Sequence, residues 1–227
     1  RRAVLMAIDQ AEFMEAVGGP DKTLWRTGVG LFPPGTPMAN DAGMEVLNGP
    51  RDIGKVKQAL AAAGYKGEKV VLLGVTDLAN LKAECEVGAE MLKRIGMNVD
   101  YQVMDWGAVV TRRANKEPPG NGGWNCFFTG WNGIDILDPV GHISLRGNGM
   151  AAWPGWPVAP KIEALREAWM EATDLPGKQT IAAELQKQAF EDVPYAPLGQ
   201  YFQPTAFSRK LEGVLPSFPT FWNVKRA

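Results

Sequence analysis

The stretch from residue 69 to residue 104 constrains this chain more than any other. Lys69–Val75 reads KVVLLGV, an apolar run too short for a buried helix and rich in β-branched residues, as in a strand covered on both faces. Leu81, Cys85, Gly88, Leu92 and Ile95 then recur at three and four residues, one stripe of a helix over residues 78–95, and Gly96 stops it. Residues 97–104 alternate, with Val99, Tyr101 and Val103 against Asn98, Asp100 and Gln102, the period of a half-buried strand. Strand, helix and strand at this spacing predict a βαβ unit with parallel strands and a right-handed crossover. An α/β fold follows, and the rest of the chain is placed around it.

Upstream, Val4, Leu5, Ile8, Met14 and Val17 predict one amphipathic helix over residues 1–17, closed by Gly18-Gly19-Pro20. That helix starts at Arg1 with no initiator Met, signal peptide or capping residue, so the sequence reads as a piece of a longer protein. Residues 21–50 form a long Pro/Gly segment of the kind that is functional or connects lobes, with Trp25 and Phe32 expected to pin it. Asp52 is the expected N-cap of a helix running to Ala63, with Val56, Ala59, Leu60 and Ala63 buried and Gly64 as its stop.

Downstream, Asp105 is the expected N-cap of a short helix over residues 105–114. Residues 122–139, GGWNCFFTGWNGIDILDP, read as a strand, a glycine-bracketed turn and an acidic stop. Trp131 beside Asp135 at a strand end offers an aromatic wall and a charge to a small molecule; the alternative is a buried strand with an exposed acidic turn. A loop holding Trp153 and Trp156, helices over residues 160–172 and 175–192, and apolar β-like segments at 195–202 and 205–208 complete the chain, which ends in the aromatic region 218–222.

Composition excludes several functions. The 227 residues carry 24 basic and 25 acidic side chains, and no Lys/Arg run makes an electrostatic case for nucleic acid. No apolar run reaches the length of a transmembrane helix. The two cysteines, Cys85 and Cys126, lack CxxC spacing and sit on an apolar helical stripe and in an apolar strand, which favours buried thiols over a disulfide. His142 is the only histidine, and Ser144, Ser208 and Ser217 are the only serines. None lies in GxSxG, so a Ser-His-Asp triad has no support, and His142 reads as a polar loop or helix-start residue. With Asp135 and Asp138 it makes only a thin metal cluster. Asp138 before Pro139 reads as a turn acid. Gly28-Val29-Gly30 does not complete GxGxxG. The remaining enzymatic reading is an α/β hydrolase or glycosidase domain using Asp135 and Asp138.

The order of motifs resembles a known family. RRAVLMAIDQAEFMEAVGG is similar to its helix with A-x-A-I-D-[RK] and a following Gly-rich loop, KQALAAAGY to its L-x-x-AGY helix end, and GAEMLKRIGMNVDYQVMDWGAVVTR to its L-x-x-iGi unit with a later d-w. FFTGWNGIDILDP resembles GW-x-x-D-x-x-DP, and VPYAPLGQYF its vP-x-i-P-l return segment. The family is that of the extracytoplasmic solute-binding proteins of family 5, the dipeptide-, oligopeptide- and nickel-binding components of ABC importers.

The resemblance implies a lobe of a class II periplasmic binding protein, with a mixed sheet and a βαβ unit flanked by helices. Residues 1–194 would be the second lobe of a two-lobe clamp, and 195–227 a return segment packing on the first lobe, which is absent from this chain. It implies a peptide or similar small solute as ligand, delivery to an inner-membrane permease with its ATPases, a periplasmic location, no cofactor and no catalysis. It assigns ligand contacts to Trp131, Asn132, Trp124 and Trp153; Thr76 and Asn80, in the loop after Lys69–Val75, are further candidates because ligands in α/β sheets gather at the carboxyl ends of strands. Relatives hold a peptide amino group with an acid just after the GW-x-G turn. Asp135 is the nearest acid, one residue beyond that position. They hold the peptide carboxylate with an arginine after the matching strand, where Gly74-Val75-Thr76-Asp77 has no basic residue. The implied ligand is therefore not a free dipeptide gripped at both ends.

Overall fold

A computed structural model describes residues 1–215 and 220–227; the expectations for Ser217 and Phe218 fall outside them. In chain order the elements are α1 (Arg2–Leu5), α2 (Gln10–Gly18), β1 (Trp25–Arg26), α3 (Ile53–Ala62), β2 (Lys69–Val75), α4 (Ala79–Arg94), β3 (Asn98–Met104), α5 (Trp106–Arg112), β4 (Cys126–Phe127), α6 (Pro160–Glu171), α7 (Leu175–Asp192), β5 (Gln200–Tyr201), β6 (Leu211–Glu212) and β7 (Lys225–Arg226).

The βαβ unit forms as its periodicity predicts. β2 pairs with β3 in parallel from Lys69↔Asn98 to Val75↔Met104. On its other side β2 pairs in parallel with the short β4, Leu72 opposite Cys126 and Leu73 opposite Phe127. The order is β3-β2-β4. β2 is central, so Val71, Leu72, Leu73 and Val75 are all buried, and its continuous apolar run is explained. β3 is an edge strand, which accounts for its alternation and for the exposed Val103. This sheet is wholly parallel. The antiparallel pairs stand apart from it, β1 with β5 and β6 with β7. α4 packs on β2 and on α2. A Cβ on Gly88 would run into the Phe128 ring, so this glycine lets the helix lie directly against the strand end that leads into the site.

Caps are where the sequence places them. Asp52 accepts from Lys55 N (3.0 Å) and Asp105 from Ala108 N (2.9 Å). Gly64 and Gly96 follow α3 and α4 at φ 85° and 94°. The expected single helix over residues 1–17 is two helices. Asp9 is extended (φ −107°, ψ 106°) and its carboxylate accepts from Ala11 N at 2.9 Å, starting α2 afresh.

Gln10, directly after that break, is buried. Its Nε2 donates to Val29 O (2.8 Å) and Pro197 O (3.1 Å), and its Oε1 accepts from Val29 N (3.0 Å). Gln186 on α7 does the same further along. Its Oε1 accepts from Leu31 N (2.9 Å), and its Nε2 donates to Asn40 O and Ala42 O, both at 2.9 Å. Arg51 adds bonds to the carbonyls of Ile8, Val46, Asn48 and Gly49. The irregular segment between α2 and α3 stays ordered because buried side chains satisfy its backbone groups in place of a ladder. Trp25 and Phe32 are buried as expected, joined by Leu31, Met38 and Met44.

Other expectations change. The strand expected around Cys126 has ladder pairing only at Cys126–Phe127. In the tail only Gln200–Tyr201 of the first segment pairs, and no strand forms over 205–208, which is exposed. His142 is not a loose polar residue: it is 1% exposed. Cys85 and Cys126 are free thiols, and burial pushes the Cys85 thiol up to about 11. Among the described residues no helix is long and apolar enough to cross a membrane.

Candidate functional site

The site grows from the end of β4. Asn125 extends the ladder with both ends of the residue: its N–H donates to Val71 O (2.9 Å) and its side-chain oxygen accepts from Val71 N (2.8 Å). Trp124, before it, donates from Nε1 to Arg113 O at 3.1 Å. These bonds fix one end of a row of aromatic rings. Trp124 meets Phe127 edge-on (4.9 Å between centroids, 85°), Phe127 meets Trp153 (5.3 Å), and Trp153 meets Trp131 (5.5 Å). Trp156 packs on Trp124 from outside at 6.0 Å. The Arg113 guanidinium lies over Trp153 (4.9 Å), Trp106 (5.3 Å) and Phe127 (5.7 Å), a cationic backing to the wall.

The loop that brings Trp153 to this wall is closed by Gly149 N to Pro157 O (2.9 Å) and Ala159 N to Gly147 O (2.8 Å). The turn carrying Trp131 is fixed from beneath. Asp138 accepts from Val140 N (2.8 Å) and Gly141 N (2.9 Å). Arg166, buried on α6, donates to Pro139 O (2.9 Å) and pairs with Glu163 at 3.0 Å. Glu163 in turn accepts from Gly147 N (2.7 Å), so one ion pair anchors both loops.

The aromatic wall borders a cavity of about 1690 Å³, which the tail from Val193 to Ala206 also lines. Trp124, Trp131, Asn132 and Trp153 line this cavity together. Trp131 stays 37% exposed, so a large ring is presented to solvent at its edge. Asp135 is exposed and faces Asn132 Nδ2 at 3.3 Å, outside the lining. Thr76 is exposed at the carboxyl end of β2, its N–H bonded to Met104 O (3.0 Å), and neither it nor Asn80 belongs to the lining.

Polar residues on the cavity wall escape the motif reading. Glu84, Ser144 and Gln200 all line it, and each has a buried side-chain oxygen with no hydrogen-bond partner among the described residues. For Glu84 the sequence did hold a signal. It stands three residues after Leu81 and four before Gly88, on the apolar stripe of α4. Ser144 and Gln200 carry no such signal.

The acids of the enzymatic reading behave as turn residues. Asp138 is occupied by backbone N–H groups, and Asp135 faces an amide. His142 Nε2 lies 3.2 Å from Leu31 O and 2.7 Å from Tyr195 Oη. The carbonyl can only accept, which places the ring proton on Nε2. Burial lowers the imidazole to about 4, so it is neutral at pH 7, and its partners hold it as a structural pin between two irregular segments. Nothing in this arrangement supports the hydrolase or glycosidase alternative.

The parallel sheet, its helical cover and a large aromatic-walled cavity against a returning tail define the fold of class II periplasmic binding proteins. Solved structures share it. The OppA of Haemophilus influenzae in complex with the peptide RPPGFSPFR superposes with a TM-score of 0.76 at 15% identity, over 99% of this chain and 44% of that one. A dipeptide-binding protein from Pseudoalteromonas in complex with Met-Leu gives 0.73 at 19% identity, over 100% of this chain and 44% of that one.

The chain belongs to the bacterial extracellular solute-binding proteins of family 5, whose middle-region model matches residues 1–149. A curated relative from Sinorhizobium fredii, named a probable peptide ABC transporter periplasmic-binding protein, is 35% identical over all of this chain and 43% of its own length. The chain therefore spans less than half the length of the relatives it matches.

Proposed function

We propose that this chain is a ligand-binding lobe of an ABC-importer substrate-binding protein for a peptide-like solute. In this reading residues 1–194 form one jaw of a clamp, 195–227 return toward the other jaw, and closure traps the solute before delivery to an inner-membrane permease and its ATPases. The observation that carries it is the row Trp124, Phe127, Trp153 and Trp131 along one side of a large cavity. Such a wall accepts apolar side chains of varied shape, and a few unpaired polar groups beside it orient a backbone. The name of the curated relative and the peptides in the two solved structures support the solute class.

Trp131, Asn132, Trp124 and Trp153 are assigned to ligand contact in the open form. Asp135 and Thr76, outside the cavity lining, are assigned to the rim that meets ligand on closure. The protein acts by binding, in the periplasm, and needs no cofactor for this. Native mass spectrometry of the full-length protein, purified without denaturation, tests the reading. Release of short peptides supports it. Release of a non-peptide solute alone would replace the solute class while leaving the clamp.

A further inference from the structure

The aromatic wall is backed by cations that have no acid for a partner. Arg113 closes α5, its N–H donating to Val109 O at 2.8 Å. Its carbonyl accepts from Trp124 Nε1 (3.1 Å), while its guanidinium lies over Trp153 (4.9 Å), Trp106 (5.3 Å) and Phe127 (5.7 Å). A little further on, Lys116 Nζ lies over Trp156 at 5.4 Å, and Trp156 packs on Trp124. Neither cation makes an ion pair among the described residues. The Arg113 guanidinium is half-buried, and burial lowers its pKa, the mark of partly lost water; it still stays charged at neutral pH.

Trp153 and Phe127 line the cavity, whereas Arg113, Trp106 and Lys116 do not. The guanidinium therefore meets both rings from outside the cavity, and a solute meets them from within. A ring attracts a cation through the negative potential of its faces. With a guanidinium already on the ring, that electron density is drawn toward it. A second cation, arriving from the cavity, also feels the first one's charge across a layer of rings that screens it poorly. The lining offers nothing to offset this. Its charged residue types are Arg1, Arg146 and Glu84, and the buried Glu84 carboxyl is pushed up to about 8 and so is protonated at neutral pH.

We propose that Arg113 is a positioning residue that sets side-chain selectivity: through Trp153 and Phe127 it makes the wall a subsite for uncharged apolar and aromatic side chains of the solute and turns away ammonium and guanidinium side chains. This rests on the peptide-like reading and names the side chains the wall accepts. Arg113 itself touches no solute; it acts through the rings it covers. The active property is its charge, so lysine in its place preserves the selectivity. Methionine, which keeps an unbranched stem and drops the charge, removes it.

The test is calorimetric titration of the full-length protein with alanine tripeptides carrying norleucine or lysine at each position in turn. The two side chains share a hydrocarbon stem and differ by the ammonium group. The wild type is expected to bind the norleucine peptide at least about 10-fold more tightly than its lysine counterpart at one position or more. Arg113→Met is expected to bring that ratio below about 3-fold, and Arg113→Lys to keep it. A role in packing alone weakens both peptides together and leaves the ratio as it was. An unchanged ratio in Arg113→Met, or no preference in the wild type, therefore overturns the role of Arg113 and leaves the peptide reading intact. If no tripeptide binds, the peptide reading fails, and phenylbutanol against phenylbutylammonium decides Arg113 by saturation-transfer NMR. A preference for the alcohol that Arg113→Met removes keeps the role; equal binding, or none, overturns it. If Arg113→Met does not fold, Arg113→Gln replaces it, with the same loss of preference expected.

Discussion

Gln186 makes its hydrogen bonds at 0% exposure, and the backbone it satisfies lies far back in the chain, from Leu31 to Ala42. Replacing it with leucine leaves a buried N–H and two carbonyls unpaired. Gln186→Leu is expected to lower unfolding free energy by about 3 kcal/mol or more in a urea titration. Glu84 and His142 make opposite pH predictions. The Glu84 carboxyl has its folded value raised from 4.5 to about 8, so between those values the unfolded chain is ionised while the folded one is not. Its contribution is fully present below about pH 4.5 and is lost as pH rises through about 8. Glu84→Gln is therefore expected to match the wild-type melting temperature near pH 4 and exceed it near pH 9, read by calorimetric scans. His142 is lowered from 6.5 to about 4, so its contribution is present above 6.5 and lost as pH falls toward 4. None of these polar core residues was legible in function. A helical period marks Gln10, Glu84 and Gln186 as positions. It does not reveal partners such as Pro197, which lies 187 residues from Gln10.

Local signals made the elements legible. Caps, glycine stops and the two periods act within a few residues, and they placed α3, β2, α4, β3, α5, α6 and α7 to within a residue or two. The misses have physical causes. Asp9 competes for backbone N–H groups within an otherwise helical pattern and starts a second helix. β4 pairs with β2 at only two positions, Cys126 and Phe127. The segment 205–208 is apolar enough for a strand but has no strand to pair with among the described residues. At this scale Gly88 is the sharpest test. Gly88→Val is expected to force Phe128 off α4 and cost about 2–3 kcal/mol by chemical denaturation. The same change moves the strand end that leads to Trp131, so ligand affinity in the full-length protein is expected to fall with it.

The cavity is a property of the whole chain. Its walls come from α1, α2, α4, the end of β4, the Trp153 loop and the tail after α7. The family resemblance offered Trp124, Trp131, Asn132 and Trp153 as candidates, but the enclosure that brings them together depends on contacts spanning the chain. The far end of the tail keeps large apolar side chains in solvent, Phe221 at 77% and Trp222 at 87% exposure. The central claim is that the aromatic wall grips a peptide-like solute. Its most direct test is calorimetric titration of the full-length protein with a short-peptide pool, for the wild type and Trp131→Ala. The expected result is about micromolar or tighter binding in the wild type, weakened at least about 10-fold by the substitution, with the melting temperature of the unliganded protein unchanged. Tight binding that Trp131→Ala leaves untouched, or no binding of any peptide, would contradict it.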